Sequence, residues 1–257
     1  MRVVIKVGTS TLAHSTGLIN IRRVEELCKV LADVKNAGHE VVLVSSGAIG
    51  MGAGKLHLTD CPQDMATKQA AAAVGQCELM YVYDKLFGAY NHTVAQVLLT
   101  GDDLEHVERR HNVQNTLERL IQLGAIPIIN ENDTVATAEI SVGDNDTLSA
   151  IVAINVHADL LIILSDIDGL YSTDPRINPA AVLIREVSQI TPDIVAKAGG
   201  AGTKHGTGGM ATKLSAARLA TDNGINMVIA NGSRPACVYD IISGKSVGTL
   251  FRAVKVK

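Results

Sequence analysis

Residues 128–150, IINENDTVATAEISVGDNDTLSA, are the stretch around which the rest of the chain is predicted to fold. An apolar run, residues 125–129, precedes it and fits a buried strand, so Asn130 would follow at the carboxyl end of that strand. Gly143 and Asp144 indicate a turn into a helix, because apolar residues at helical spacing come after them. Both ends of the stretch are therefore predicted at one edge of an open α/β sheet, where such sheets bind ligands.

The polar content of this stretch exceeds what turns and helix caps require. A loop usually needs one or two Asn or Asp residues for these purposes. This segment carries seven polar side chains that can bind ligands: Asn130, Glu131, Asn132, Asp133, Asp144, Asn145 and Asp146. We interpret it as the centre of a functional site, with turn formation and capping as the alternative.

Composition excludes several classes of protein. The chain has 257 residues, 47% of them hydrophobic, and a mean hydropathy of +0.21, which suits a sizeable core and one large α/β domain. A net charge of −3 and 3% aromatic residues argue against nucleic-acid binding. No apolar run approaches the roughly 20 residues of a membrane span, and the amino terminus enters strand-like sequence without a signal peptide. We therefore expect a cytoplasmic protein.

The four cysteines do not indicate a metal site. They lie far apart, without a Cys-x-x-Cys pair or a histidine at ligand spacing, at Cys28, Cys61, Cys77 and Cys237. We expect reduced structural thiols, with neither a zinc site nor a disulfide framework.

Strand-like and helix-like segments alternate along the chain. The predicted strands are 2–7, 40–45, 92–99, 125–129, 159–164 and 226–230. Predicted helices run from a cap at Asn20 to Gly38, over 66–90, over 105–123 after Asp102 and Asp103, and over 214–223. This alternation predicts a mainly parallel sheet covered on both faces, with a shallow division near 155–170. The Ala-rich segment 66–90 indicates no chemistry.

Two lysines and two glycine-rich turns indicate an anion site. Lys6 interrupts an apolar strand, where an ammonium is costly unless it meets an anion, although an edge position is the alternative. Ser46 and Gly47 follow a strand and could present backbone N–H groups to an anion. Residues 199–213 are dense in glycine, and Lys213 lies about one turn into the next helix. A flexible linker is the alternative for that segment.

Similar patterns elsewhere are less persuasive. Residues 206–211 imitate a dinucleotide fingerprint but lack a preceding tight strand and a partner acid, and Gly54-Lys55 lacks the rest of a P-loop. Arg109, Arg110 and His111 favour a solvated helix face or a subunit contact over a phosphate clamp. No Ser-His-Asp or Cys-His pairing indicates a nucleophile.

Lysines, glycine-rich turns and carboxylates at strand ends together indicate phosphoryl transfer, in which positioning and charge neutralisation supply most of the catalysis.

The sequence resembles the amino-acid kinase superfamily and, within it, the glutamate 5-kinases. The resemblance covers nearly the whole chain in order and rests on six motifs: VIKVGTS (4–10), SSGAI (45–49), KQAAAAVGQ (68–76), INEND (129–133), VGDND (142–146) and GTGGMATK (206–213). Many members carry a further carboxyl-terminal PUA domain. This sequence stops near 247–251, where the kinase domain ends, so we expect a form without that domain.

The resemblance implies a three-layer αβα sandwich and a single domain over 1–257. A glutamate-binding lobe would span about 1–160 and an ATP-binding lobe about 161–257. It also implies ATP, Mg²⁺ and phosphorylation of the side-chain carboxylate of L-glutamate, the first step of proline synthesis. By matching position, glutamate would be bound by Ser46, Asp133 and Asn145. ATP would be bound by Lys6, Ser165, Asp166, Thr207, Gly208, Gly209, Met210, Ala211, Thr212 and Lys213.

Elementary chemistry assigns roles to the expected catalytic residues. A glutamate side chain, with a pKa of about 4.3, is already ionised at neutral pH, so the reaction needs no general base. It needs relief from the repulsion between two anions, which Lys6, Lys213 and Mg²⁺ would supply. Asp146 would hold the two lysines in place, and Asp144 is a candidate for ordering the water shell of the metal.

Alternatives remain within and outside the fold. A kinase of another small acid, such as carbamate, aspartate or N-acetylglutamate, would share these motifs. A non-catalytic amino-acid sensor would be favoured if a catalytic lysine were missing, and both are present. We also expect a homo-oligomer, a dimer or tetramer, and a glutamyl-phosphate reductase as the partner that takes the labile product.

Overall fold

The structure is a computed structural model that describes residues 1–14, 16–58, 62–135, 144–198 and 209–254. Its strands are β1 (Arg2–Val7), β2 (Glu40–Ser45), β3 (Val94–Leu99), β4 (Ile126–Glu131), β5 (Leu160–Ser165), β6 (Glu186–Val187), β7 (Asn226–Asn231) and β8 (Thr249–Phe251). Within the described residues these strands form one sheet with the order β3-β4-β2-β1-β5-β7-β8-β6.

Strand β1 lies in the middle of this sheet and is parallel to both of its neighbours. Lys6 lies opposite Val44 of β2 and Ile163 of β5. The remaining described pairs are parallel except that of β7 with β8, so the predicted mainly parallel sheet is confirmed. Parallel strands end at the same edge, which brings the residues after β1, β2, β4, β5 and β7 together.

Helices cover both faces of the sheet. They are α1 (Thr9–Leu12), α2 (Ile21–Asn36), α3 (Ala48–Lys55), α4 (Met65–Gly88), α5 (Gly101–Glu105), α6 (Val107–Gln122), α7 (Asn145–Asn155), α8 (Pro192–Ala198), α9 (Met210–Asp222) and α10 (Cys237–Ile242). Successive strand residues point to opposite faces. Val3 and Ile5 of β1 therefore join a core with α2, α4 and α10, whereas Val4 joins a core with α6, α7 and α9. The predicted αβα sandwich is thus confirmed.

The end of the sheet and the start of the charged helix are among the details that differ from the sequence prediction. The predicted final strand, 226–230, is followed by the antiparallel three-residue strand β8, which also pairs with the two-residue strand β6. Asp102 and Asp103 do not precede a single charged helix; they lie within α5. Thr100 accepts a hydrogen bond from Asp103 N, and Asp103 accepts one from Thr100 N, which is a capping box that starts α5 early.

The described cysteines are free thiols in three different environments. Cys28 is buried, Cys237 is half-buried and Cys77 is exposed, so the expected structural role does not suit Cys77. Burial raises the pKa of the Cys237 thiol to about 11. Cys61 lies outside the described residues.

Among the helices that the structure describes, none is long and apolar enough to cross a membrane.

Candidate active site

The first turn of α7 organises the site. Asp144 is the N-cap, and its Oδ1 accepts a hydrogen bond from Thr147 N at 2.8 Å, as the Gly-Asp-Asn-Asp motif predicts. The helix packs on β1, β2, β4, β5 and α9. Asn145 and Asp146 therefore lie at the edge where the parallel strands end. Gly143 lies outside the described residues.

Two lysines that are far apart in sequence converge on Asp146. Lys6 Nζ forms an ion pair with Asp146 Oδ1 at 2.7 Å, and Lys213 Nζ donates to Asp146 Oδ2 at 3.1 Å. Thr212 Oγ1 also donates to Oδ2, at 3.0 Å. We call these four residues, Lys6, Asp146, Thr212 and Lys213, the charged cluster. This geometry is the one expected if Asp146 holds both lysines in place.

The three charged side chains of the cluster are buried, which strengthens their electrostatic interactions. The exposed fractions are 7% for Lys6, 5% for Lys213 and 0% for Asp146. Burial alone would raise the pKa of Asp146, but the charges of Lys6 and Lys213 outweigh burial and hold that pKa below its usual range. Asp146 therefore stays ionised at neutral pH, and its negative charge keeps both ammonium groups at the site.

Helix α9 directs its amino terminus toward this cluster. Gly209 is its N-cap, and no side chain caps the first backbone N–H groups among the residues described there. Uncapped N–H groups together with the helix dipole favour a phosphate. Met210 and Thr212 are half-buried and Ala211 is exposed, while Lys213 is buried in the cluster. Thr207 and Gly208, predicted to bind ATP, lie outside the described residues.

A second group of side chains, around Asn145, is neutral. Asn145 Nδ2 donates to Ser46 Oγ at 2.9 Å, to Ser45 O at 3.2 Å and to Asn130 Oδ1 at 3.0 Å. Asn130 Nδ2 in turn donates to Gln76 Oε1 at 2.9 Å. We call Ser46, Gln76, Asn130 and Asn145 the amide network. Its members come from four separate segments of the chain.

Helix α4 supports the amide network, although its sequence indicated no chemistry. Gln76 is buried in α4, and Tyr83 Oη lies 2.9 Å from Ser45 Oγ. Gly75 lets α4 approach α3 closely, because an added Cβ there would lie 1.7 Å from Ala48 O. Helix α3 begins directly after Ser46 and Gly47, so this contact fixes where the small-residue turn lies.

Asp133 lies in a half-buried turn after β4. Burial, with a further contribution from the negative charge of Glu131, raises the pKa of Asp133 to about 6. A cation nearby would relieve both effects, so the position favours binding of an ammonium group. The described contacts do not connect Asp133 to the amide network.

The predicted nucleotide residues of β5 lie at its carboxyl end. Ser165 is buried, and its Oγ donates to Asp166 Oδ1 at 3.1 Å. Asp166 is exposed. Ser165 follows Leu164, the partner of Val7 in β1, so both strands end beside Gly8. Arg109, Arg110 and His111 are exposed on α6, and Arg109 Nη1 is 3.7 Å from Asp103, which agrees with a solvated helix face.

Sequence reasoning missed one buried contributor to the site. Gln76 lies within the quoted KQAAAAVGQ motif, but an Ala-rich helix with polar residues on several sides does not show which of them faces the site. The sequence places Asn130 in the polar stretch without indicating a role, and in the structure it connects Gln76 with Asn145.

Comparison with known proteins identifies the family. Residues 1–231 of this chain match the Amino acid kinase family. The chain belongs to the amino acid kinase family. A glutamate 5-kinase of Clostridium perfringens is 55% identical over 258 residues, which cover 99% of this chain and 96% of that protein. One from Listeria innocua is 54% identical and covers 99% and 94%. The resemblance that the motifs indicated is confirmed along nearly the whole chain.

Solved structures show the same fold at low sequence identity. An isopentenyl phosphate kinase of T. acidophilum superposes with a TM-score of 0.69 at 19% identity, over 98% of this chain and 100% of that one. A UMP kinase of Bacillus anthracis gives a TM-score of 0.67 at 19% identity, over 98% and 96%. These likenesses concern the fold alone.

Proposed function

We propose that the protein transfers the γ-phosphoryl group of ATP to the side-chain carboxylate of L-glutamate and forms L-glutamyl 5-phosphate, the first step of proline biosynthesis. The observation that carries the proposal is the convergence of Lys6 and Lys213 on the buried carboxylate of Asp146. The names of the relatives at 54–55% identity, glutamate 5-kinase, support the choice of substrate.

Charge neutralisation is the main task of the site in this reaction. The glutamate carboxylate and the γ-phosphoryl group are both anionic and repel each other. Lys6 and Lys213 place two ammonium groups where negative charge shifts during transfer, and Asp146 holds them there before the substrates arrive. Because the positions are set in advance, little reorganisation is needed at the moment of reaction.

The amino-acid end of glutamate is assigned to Ser46, Asp133 and Asn145. Asp133 would meet the α-ammonium, which relieves its raised pKa. Ser46 would offer a hydroxyl to the α-carboxylate. Asn145 follows Asp144 directly and precedes Asp146, so substrate binding and the charged cluster meet at one helical turn.

The nucleotide is assigned to the carboxyl-terminal part of the chain. Gly209 to Lys213 would offer backbone N–H groups and the Lys213 ammonium to the phosphates, with Thr207 and Gly208 before them. Ser165 and Asp166 would contact the rest of the nucleotide. On this assignment residues 1–160 form a glutamate-binding lobe and residues 161–257 an ATP-binding lobe of one domain.

Mg²⁺ fits these residues as an ion that arrives with the nucleotide. Among the described residues no three His, Cys, Asp or Glu side chains are grouped as metal ligands. Mg²⁺ commonly keeps several waters and is held by substrate phosphates with one or two carboxylates. Asp144, a buried carboxylate two residues before Asp146, would order its waters. When bound, the ion would neutralise phosphate charge.

The wider setting of this reaction belongs to the same proposal. An acyl phosphate is labile in water, so a glutamyl-phosphate reductase would need to consume it promptly. We also assign the enzyme to the cytoplasm and to a homo-oligomer, a dimer or tetramer.

Trapping the product with hydroxylamine tests the function. With ATP and Mg²⁺, L-glutamate is expected to give hydroxamate, whereas aspartate and N-acetylglutamate give little. Aspartate would be too short to reach the phosphate, and acetylation removes the ammonium partner of Asp133. Equal rates with N-acetylglutamate would overturn the substrate assignment, and no hydroxamate from any acid would favour a sensor.

A further inference from the structure

Backbone groups fix which end of each asparagine amide in the amide network donates and which end accepts. Glu131 N donates to Asn130 Oδ1 at 2.9 Å, and a backbone N–H can only donate. Asn145 Nδ2 donates to Ser45 O, and a backbone carbonyl can only accept. The two side-chain amides therefore cannot be turned over without losing a bond to the main chain.

Gln76 completes this arrangement from α4. With Oδ1 of Asn130 committed to Glu131 N and Asn145 Nδ2, the Nδ2 of Asn130 must find an acceptor on its other side. Gln76 Oε1 is that acceptor, and both residues are buried. Without it, Asn130 would carry a buried donor with no partner, and its amide would shift from the position in which its Oδ1 accepts from Asn145 Nδ2.

The fixed directions determine what Asn145 and Ser46 present to a ligand. Asn145 Oδ1 is buried and has no hydrogen-bond partner among the described residues, so it is an acceptor that awaits a donor. Ser46 Oγ already accepts from Asn145 Nδ2, which leaves its hydroxyl hydrogen to donate. An ammonium group suits the first atom and a carboxylate suits the second.

We propose that Gln76 is a positioning residue that sets substrate orientation through Asn130 and Asn145. Its Oε1 holds Asn130 Nδ2 and thereby the position of Asn130 Oδ1, so that Asn145 Oδ1 stays directed at the α-ammonium. The site thereby distinguishes an α-amino acid from a plain dicarboxylate of the same length. This inference rests on the proposed function, because it concerns how glutamate is held.

Gln76→Met tests the inference, since methionine keeps the length of the side chain and removes the acceptor. We expect the KM for L-glutamate to rise about 10- to 100-fold. This is the range for loss of a hydrogen bond to a charged group, here the bond between Asn145 Oδ1 and the α-ammonium. The kcat and the KM for ATP should stay within about twofold, because the charged cluster is untouched. Gln122→Met, the same change at an exposed position of α6, is the matched control and should leave all three constants unchanged.

Glutarate separates a directional role from a merely structural one, because it is glutamate without the α-amine. Measured as a substrate or as a competitive inhibitor, it should bind to Gln76→Met about as well as to the wild type. An equal loss of affinity for glutamate and glutarate would overturn the proposal, as would unchanged glutamate kinetics.

A second variant keeps the proposal testable if Gln76→Met folds poorly. Gln76→Glu retains an oxygen toward Asn130 Nδ2 and should recover at least part of the preference for glutamate over glutarate. Loss of that preference in Gln76→Glu equal to the loss in Gln76→Met would count against the acceptor role. Failure of the proposed function is distinct, because the wild-type enzyme would then form no hydroxamate from glutamate.

Discussion

Two neighbouring residues at the start of α7 belong to chemically different halves of the site. Asp146 lies in the charged cluster, where its carboxylate meets two ammonium groups and a hydroxyl. Asn145 lies in the amide network, where its Nδ2 donates to two side-chain oxygens and one carbonyl. One residue step along a helix turns a side chain by roughly 100°, which separates the two halves.

The two halves teach different lessons about how a site selects. Attraction between ions is strong inside a protein and depends little on direction, so the charged cluster suits the stabilisation of charge that moves during the reaction. Amide hydrogen bonds distinguish donor from acceptor, so the amide network suits the choice and orientation of a substrate. We therefore expect the first half to govern kcat and the second to govern the KM for glutamate.

The largest expected effect tests the charged half. Lys213→Met keeps length and apolar bulk but removes the ammonium, so we expect kcat to fall about 10²- to 10³-fold, about 3 to 4 kcal/mol, with a smaller rise in the KM for ATP. Lys245→Met removes an exposed lysine paired with Asp240 and serves as the control. A weakened affinity for ATP with kcat nearly intact would make Lys213 a ground-state anchor.

The next variant asks whether the charged cluster acts as a unit. Asp146→Asn should lower kcat by a similar factor, because the amide no longer holds Lys6 and Lys213 by charge. The double variant with Lys213→Met should lose much less than the product of the single effects. Steady-state kinetics of the four proteins give the answer, and multiplicative losses would mean that the residues act independently.

A smaller effect tests the packing behind the amide network. Gly75→Ala would place a Cβ 1.7 Å from Ala48 O, and overpacking typically costs about 1 to 3 kcal/mol. We expect a lower melting temperature and a raised KM for glutamate with kcat largely kept. Gly88→Ala, near the end of the same helix, meets nothing within 4 Å and should keep or slightly increase stability. Equal behaviour of the two variants would show that α3 and α4 can separate at no cost.

The smallest effect at neutral pH concerns Asp133, whose pKa is raised to about 6. As pH falls through 6 this carboxylate gains a proton and no longer attracts the α-ammonium. The kcat/KM for glutamate, which reports the free enzyme, should then fall roughly fivefold between pH 6 and pH 5 and approach about tenfold per pH unit below that. Asp133→Asn should have a lower kcat/KM at pH 7, and its kcat/KM should not show this fall at acidic pH. If the fall in kcat/KM at acidic pH persists in the variant, the titration belongs to another group.

The sequence was sufficient for the frame of the fold and for the charged half of the site. Strands β1, β2, β4, β5 and β7 are apolar runs bounded by small or polar residues, and such runs are typical of a parallel sheet. Lys6 was conspicuous because a charge interrupts one of these runs. Asp146 and Lys213 lie in motifs whose order along the chain is shared with a known family.

What the sequence did not predict depends on contacts between distant segments. Gln76 and Asn130 are 54 residues apart, and nothing local shows that one faces the other. Strands β6 and β8 have two and three residues, which is too short for alternation to be recognised. The early start of α5 had a local signal, the Thr100-x-x-Asp103 pattern, which identifies the helix end once it is read as a capping box.

The consecutive placement of Asn145 and Asp146 on one rigid helical turn has a thermodynamic consequence. Any displacement of α7 that accompanies amino-acid binding carries Asp146, and with it the contacts of Lys6 and Lys213, in the same direction. On the proposed assignment of glutamate to Asn145 and of ATP to Lys6 and Lys213, α7 would link the binding of the two ligands energetically. Because such linkage is reciprocal, the factor by which the amino acid changes nucleotide affinity must equal the factor by which the nucleotide changes affinity for the amino acid.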